Sequence, residues 1–228
     1  MSAQTSATRF FRRFASSQVT IPRSHGNVYE LFIYTLVCQA VSRAGHRVSF
    51  HTTTPGQFRF RTSPGGVNNA WGYCSFRGVQ GTYEVRNGVE VAGHSNMRHE
   101  SDIAIFRVPA NQSNTRGLQA ELVLTIECKH YSSASGLKAE ARKNLGMVQD
   151  WSQSHHPSRQ GPRRQGCIHC GLHFQPLFVT NVSARVRPDI EGYLEAYDLG
   201  PHFGVIPQGP AEARFVADLS TIIQGLGL

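Results

Sequence analysis

Two short apolar stretches constrain this chain more than anything else in it: His99-Glu-Ser-Asp-Ile-Ala-Ile-Phe106 and Glu121-Leu-Val-Leu-Thr-Ile-Glu-Cys-Lys-His130. Both alternate with the period of a strand, so each divides its side chains between two faces. In the second, Leu122, Leu124, Ile126 and Cys128 share one face, and Glu121, Val123, Thr125, Glu127 and Lys129 the other. In the first, Glu100, Asp102 and Ala104 lie opposite Ile103 and Ile105. The segment from Arg107 to Gln119 holds Pro109, Asn111, Ser113, Asn114 and Gly117, which is turn chemistry and predicts a long antiparallel hairpin. With the turn centred near Asn114 and Thr115, Asp102 falls opposite Glu127.

Two carboxylates side by side on adjacent strands repel unless one is protonated or a cation lies between them. Mg²⁺ suits such a pair, because it takes oxygen ligands from one or two carboxylates and keeps water. Lys129, next to that position, is placed to hold or deprotonate an attacking water or to stabilise the anion that forms. An acid at the start of one strand, then Glu-x-Lys at the end of the next, resembles the signature of the PD-(D/E)xK nucleases. Here the matching residues are Asp102 and Glu127-Cys128-Lys129, with Ser101 where the family name has Pro, a position that carries no chemistry. The resemblance implies an α/β fold of the restriction-endonuclease-like kind, a mixed central β-sheet flanked by helices. It makes Asp102 and Glu127 ligands of Mg²⁺ or Mn²⁺, adds the backbone carbonyl of Cys128 as a further ligand, and gives Lys129 the role of positioning water or stabilising charge.

Upstream, Val28, Leu31, Phe32, Tyr34, Thr35, Val37, Cys38 and Val41 form a broad apolar stripe that predicts a buried helix from Asn27 to Ala44, ended by Gly45. Glu30 is its only acid and has two readings. It resembles the first-helix acid that projects toward the active site in this family, and it also completes a near capping box with Asn27 as N-cap. A strand is expected over 46 to 51. Between 52 and 81, Arg59 and Arg61 stand among Phe58, Phe60, Trp71, Tyr73 and Phe76, a mixture that suits phosphate contact and base stacking, or equally a twisted hairpin packed on the core. Asn87-Gly88 between two alternating stretches predicts a second hairpin turn. A surface helix follows Lys129 over 136 to 151, with Gln149 in a region where related nucleases carry a supporting polar residue. A strand over 176 to 182, a helix over 190 to 199 and a strand over 203 to 207 read as a parallel βαβ unit, before a closing helix over 211 to 224. That element order is the family's, and the resemblance covers residues 27 to 210.

Two regions fall outside this pattern. Residues 1 to 26 contain four arginines and no acid, and are expected to be a basic, disordered tail, with 27 to 228 forming one domain. An insertion over 152 to 174 carries Cys167, His169, Cys170 and His173, with His155 and His156 nearby. Cys-x-x-Cys is half of a zinc site, so Cys167, Cys170 and His173 are candidate ligands for a structural Zn²⁺, or part of a basic loop.

The net charge of +8, from 23 Lys+Arg against 15 Asp+Glu, points to an acidic partner, of which nucleic acid is the commonest. No run approaches the roughly 18 apolar residues of a membrane span. Five cysteines at uneven spacing suit a reducing, cytoplasmic compartment. The expected activity is hydrolysis of phosphodiester bonds, most of all in DNA, as a metal-dependent endonuclease of restriction, defence or repair type, acting as a homodimer or in a larger complex. The competing expectation is a non-catalytic nucleic-acid-binding module, or an inactive subunit of a defence complex, whose functional part is the Cys/His cluster.

Overall fold

The computed structural model describes residues 1–15, 17–52, 54–93, 95–108, 121–153 and 174–228. The chain begins with a helix, α1 (Ala3–Phe10), capped by the Ser2 hydroxyl, which accepts the Thr5 backbone N–H at 3.1 Å. A π turn over Phe11–Ala15 continues it. Ala7, Phe10 and Phe11 are buried, and the Phe11 ring lies 4.6 Å from that of Phe58. The expected disordered tail is corrected here: two adjacent phenylalanines enter the core while Arg9, Arg12 and Arg13 stay outside. Burying aromatic surface outweighs the ordering entropy that the polar composition alone would leave unopposed.

Strand β1 (Gln18–Val19) then pairs in parallel with β3 (Gln57–Phe58) as a small separate sheet. Helix α2 (His25–Arg43) is apolar nearly all round and buried along most of its length, because α1 and the closing helix cover the sides that the main sheet does not. Gly45, at φ +101, turns the chain away from its end.

The main sheet has seven strands: β2 (Ser49–His51), β4 (Tyr73–Gly78), β5 (Gly81–Ala92), β6 (Arg98–Arg107), β7 (Leu122–Lys129), β8 (Gln175–Thr180) and β9 (Pro201–His202), adjacent in that order. Pairing is antiparallel from β2 to β7 and parallel from β7 to β9. Helix α3 (Leu137–Gln153) connects toward β8, α4 (Pro188–Ala196) completes a parallel unit with β8 and β9, and α5 (Pro210–Gly225) closes the chain. Alternation along the strands splits the core in two. Ile103, Ile105, Leu124, Ile126 and Leu177 pack against α2 and α5, whereas Val89, Val91, Ala104, Phe106 and Phe178 pack against α3 and α4. The architecture is mixed α/β, with helices on both faces of a mixed sheet.

Three local expectations shift. Asn87-Gly88 is not a turn: β5 runs straight through it, and the tight turn falls at Val79 and Gln80 instead. Gly88 keeps the positive φ (+58) that such a pair favours, but uses it as a kink inside the strand. The last strand forms at Pro201–His202, not over 203 to 207, although the Val205 N–H still donates to the Thr180 carbonyl at 3.0 Å. The strand expected over 46 to 51 is reduced to its last three residues. The candidate zinc ligands Cys167, Cys170 and His173, with His155 and His156, lie outside the described residues, as does the centre of the β6–β7 connection.

Candidate active site

Antiparallel pairing turns to parallel at β7, so its C-terminal end lies beside the start of β6 on one side and the end of β8 on the other. Crevices at such a switch are where sheets of this kind expose side chains to ligands. The register pairs Ile103 with Ile126, Ala104 with Thr125 and Ile105 with Leu124. Continued by one residue, it sets Asp102 against Glu127, as the turn position predicted. There the Asp102 carboxylate accepts the Cys128 backbone N–H at Oδ2, 2.7 Å away. On the other side, β5 pairs Asn87 with Ile103 and Val89 with Ser101, which leaves the Gly88 kink opposite Asp102.

Asp102 and Glu127 are 5% and 4% exposed, so the two carboxyls face each other with almost no water to screen them. The Lys129 ammonium lies between them, 2.6 Å from Glu127 Oε1 and 3.2 Å from Asp102 Oδ2. Burial and then Asp102 push the Glu127 carboxyl up to about 8, against the pull of Lys129. Burial opposes the charge on Lys129, but Glu127 and Asp102 outweigh it and hold that ammonium well above its ordinary value.

Glu30 belongs to this field. Ser24, not Asn27, is the N-cap of α2, its hydroxyl accepting the Asn27 N–H at 3.1 Å, so the capping-box reading of Glu30 is corrected. Burial first, then Asp102 and Glu100, raise Glu30 to about 8. Glu100 is raised too, by burial and Asp102. From α3, Glu140 Oε2 lies 4.0 Å from Lys129 Nζ, a contribution the sequence did not announce. Glu140 reads there as one polar residue among several on a solvated helix face, and only the packing of α3 on the sheet brings it to Lys129.

The arrangement fits a hard divalent cation. Its donors are carboxylate oxygens, and Lys129 already occupies the cation position between Asp102 and Glu127. Among the described residues no group of three or more His, Cys, Asp and Glu side chains is arranged to hold a metal. Mg²⁺ requires fewer, completing its octahedron with water and backbone oxygen.

Other expected contacts divide by burial. Arg61 is buried and donates to three carbonyls, Gly65 (2.7 Å), Gly88 (3.0 Å) and Gly66 (2.9 Å), so it braces the kink behind Asp102. Arg86 is likewise internal, paired with Glu84 at 2.6 Å above the Tyr73 ring. Arg59 is exposed, over the ring of Trp71. His99 Nε2 meets Asp150 Oδ2 at 2.8 Å, and the Ser95 hydroxyl donates to the same oxygen at 2.7 Å. That trio ties the β5–β6 turn to α3. Gln149 is exposed, and among the described residues it makes no contact with the acids.

No protein-family model, curated protein or solved structure matches this chain. Among the described residues no helix is long and apolar enough to cross a membrane.

Proposed function

We propose that this protein is a metal-dependent nuclease of restriction-endonuclease-like fold, hydrolysing phosphodiester bonds in DNA. The observation that carries this reading is the buried Asp102–Glu127 pair, set across β6 and β7 with the Lys129 ammonium between the two carboxylates. Asp102 and Glu127 would hold Mg²⁺ or Mn²⁺, with the Cys128 carbonyl as a further oxygen. The cation supplies Lewis-acid polarisation of a phosphoryl oxygen and acidifies a water.

The chain's own residues do the rest. Asp102 is oriented by the Cys128 N–H, which fixes one oxygen and leaves the other free to ligate. Lys129 stays charged across the working pH range and presents its ammonium to the anionic transition state. Glu30, holding a proton up to about pH 8, would serve as a proton donor or acceptor at the edge of the site. Lys143 and Arg59 are exposed cations placed to meet the phosphate backbone.

The test is cleavage of plasmid, linear duplex and single-stranded DNA with Mg²⁺ or Mn²⁺, by wild type and by Asp102→Ala and Lys129→Ala proteins. Metal-dependent cutting by wild type, lost in both variants, is expected. Binding of DNA without cutting, under every metal tried, would replace the nuclease reading by a non-catalytic binding module.

A further inference from the structure

Lys129 poses a problem for any cation that enters between Asp102 and Glu127. Its ammonium already sits there, at hydrogen-bonding distance from both carboxylates. Two positive charges cannot share that position, so binding requires Lys129 to withdraw, and a buried ammonium withdraws only to another acceptor.

The fold supplies one. Glu140 lies on the first turn of α3, and its Oε2 is buried yet accepts no hydrogen bond among the described residues. That atom is 4.0 Å from Lys129 Nζ, so a displacement of about 1 Å brings the pair to the separation of a charge-assisted hydrogen bond. Buried acceptors without a donor are rare, and one pointing at a displaceable ammonium has a use. One turn further along, Asn144 is 2% exposed, and its amide nitrogen also lacks a partner among the described residues. Glu140 thus leaves an acceptor of α3 unused beside Lys129, and Asn144 a donor one turn on. Lys143 Nζ, 3.9 Å from the same Glu140 oxygen, does not reach hydrogen-bonding distance itself.

We infer that Glu140 is a positioning residue: it takes up the Lys129 ammonium when a divalent cation binds between Asp102 and Glu127. The inference rests on the metal site proposed above and adds an exchange, in which Lys129 gives up its two carboxylates and gains Glu140. Lys129 then stays charged, close to the reacting phosphate, and out of the cation's place. Glu140 touches neither cation nor substrate.

The experiment is a double-mutant cycle on Mn²⁺ affinity, read by electron paramagnetic resonance of free Mn²⁺ on full-length protein without DNA. Glu140→Gln in the wild-type background should weaken binding about tenfold, within the range of coupling between contacting residues. Lys129→Met should tighten it, because the competitor is gone. In the Lys129→Met background, Glu140→Gln should change affinity by less than about twofold. An equal loss in both backgrounds would overturn the inference, since Glu140 would then act on the cation directly. Lys129→Gln provides the same comparison if the methionine variant does not fold, with thermal unfolding in chelator as the check on the fold. Failure of wild type to bind Mn²⁺ at all is a different result, and it overturns the metal reading together with the exchange.

Discussion

Glu127 makes the sharpest prediction, because under the proposed metal reading its proton and a metal ion would compete for one oxygen pair. Burial and Asp102 push this carboxyl up to about 8, so at pH 6 it is almost wholly protonated. A cation must displace that proton. For one displaced proton of pKa about 8, apparent affinity scales as the ionised fraction and rises about fiftyfold from pH 6 to pH 8. Glu30, raised to the same region, steepens the dependence, and Glu30→Gln isolates the contribution of Glu127. The assay is calorimetric titration with Mn²⁺ in two buffers of different ionisation enthalpy at pH 6, 7 and 8, which counts the protons released. Affinity flat within about threefold over this range, or no proton released, would refute the reasoning. The metal-free protein gives the complementary sign. The folded pKa of Glu127 lies above its unfolded value of about 4.3, so its contribution to stability is fully present below that value and is lost as pH rises through about 8. Apo stability should therefore fall between about pH 4.5 and 8, and Glu127→Gln should flatten that slope.

Three further outcomes follow from burial. Phe11→Ala should destabilise the protein by about 3 to 5 kcal/mol in a denaturant titration, because the ring is fully buried; a loss under about 0.5 kcal/mol would mean the N-terminal segment is not part of the core. Arg61→Ala should cost about 1.5 to 3 kcal/mol by removing a buried guanidinium that donates to the carbonyls of Gly65, Gly66 and Gly88, whereas Arg59→Ala should leave stability nearly unchanged and weaken DNA binding in a salt-dependent way. Gly93→Ala places a methyl group on the carboxylate of Asp150, so it should break the Ser95–Asp150–His99 link and lower the melting temperature by several degrees, with Asp150→Asn as the milder control.

The site was partly legible because strand alternation and hairpin register are local properties. Asp102 faces Glu127 since the two stretches alternate in step from Ile103 and Ile126 to Ile105 and Leu124; a register shift beyond Ile105 then moves Leu122, expected on the face of Leu124, to the α3 side. Glu140 and Asp150 carried no such mark. On a helix one acid resembles another, and which of them meets Lys129 or His99 depends on where α3 docks. Glu30 was ambiguous for a related reason: its cap residue is decided by where the chain enters the helix, and Ser24 enters first. Asn87-Gly88 misled because the pair reports a local preference for positive φ, which a kink inside β5 satisfies as well as a turn does. The deciding contacts there are long-range: the Asn87 side chain donates to the Arg61 carbonyl at 2.7 Å, and the Arg61 guanidinium reaches the carbonyl of Gly88.

What the sequence by itself determined is the set of elements with strong period: α2, the β6–β7 pair with its acids in register, α3, β8 and α4. In each, apolar spacing selects one backbone conformation before any distant contact forms. What only the tertiary structure decided is which charged and aromatic side chains go inside. Phe11 and Arg61 differ from their exposed neighbours Phe14 and Arg59 in no local respect. Each is buried because a partner distant in sequence compensates its loss of conformational freedom or of water: a core ring for Phe11 and backbone carbonyls for Arg61.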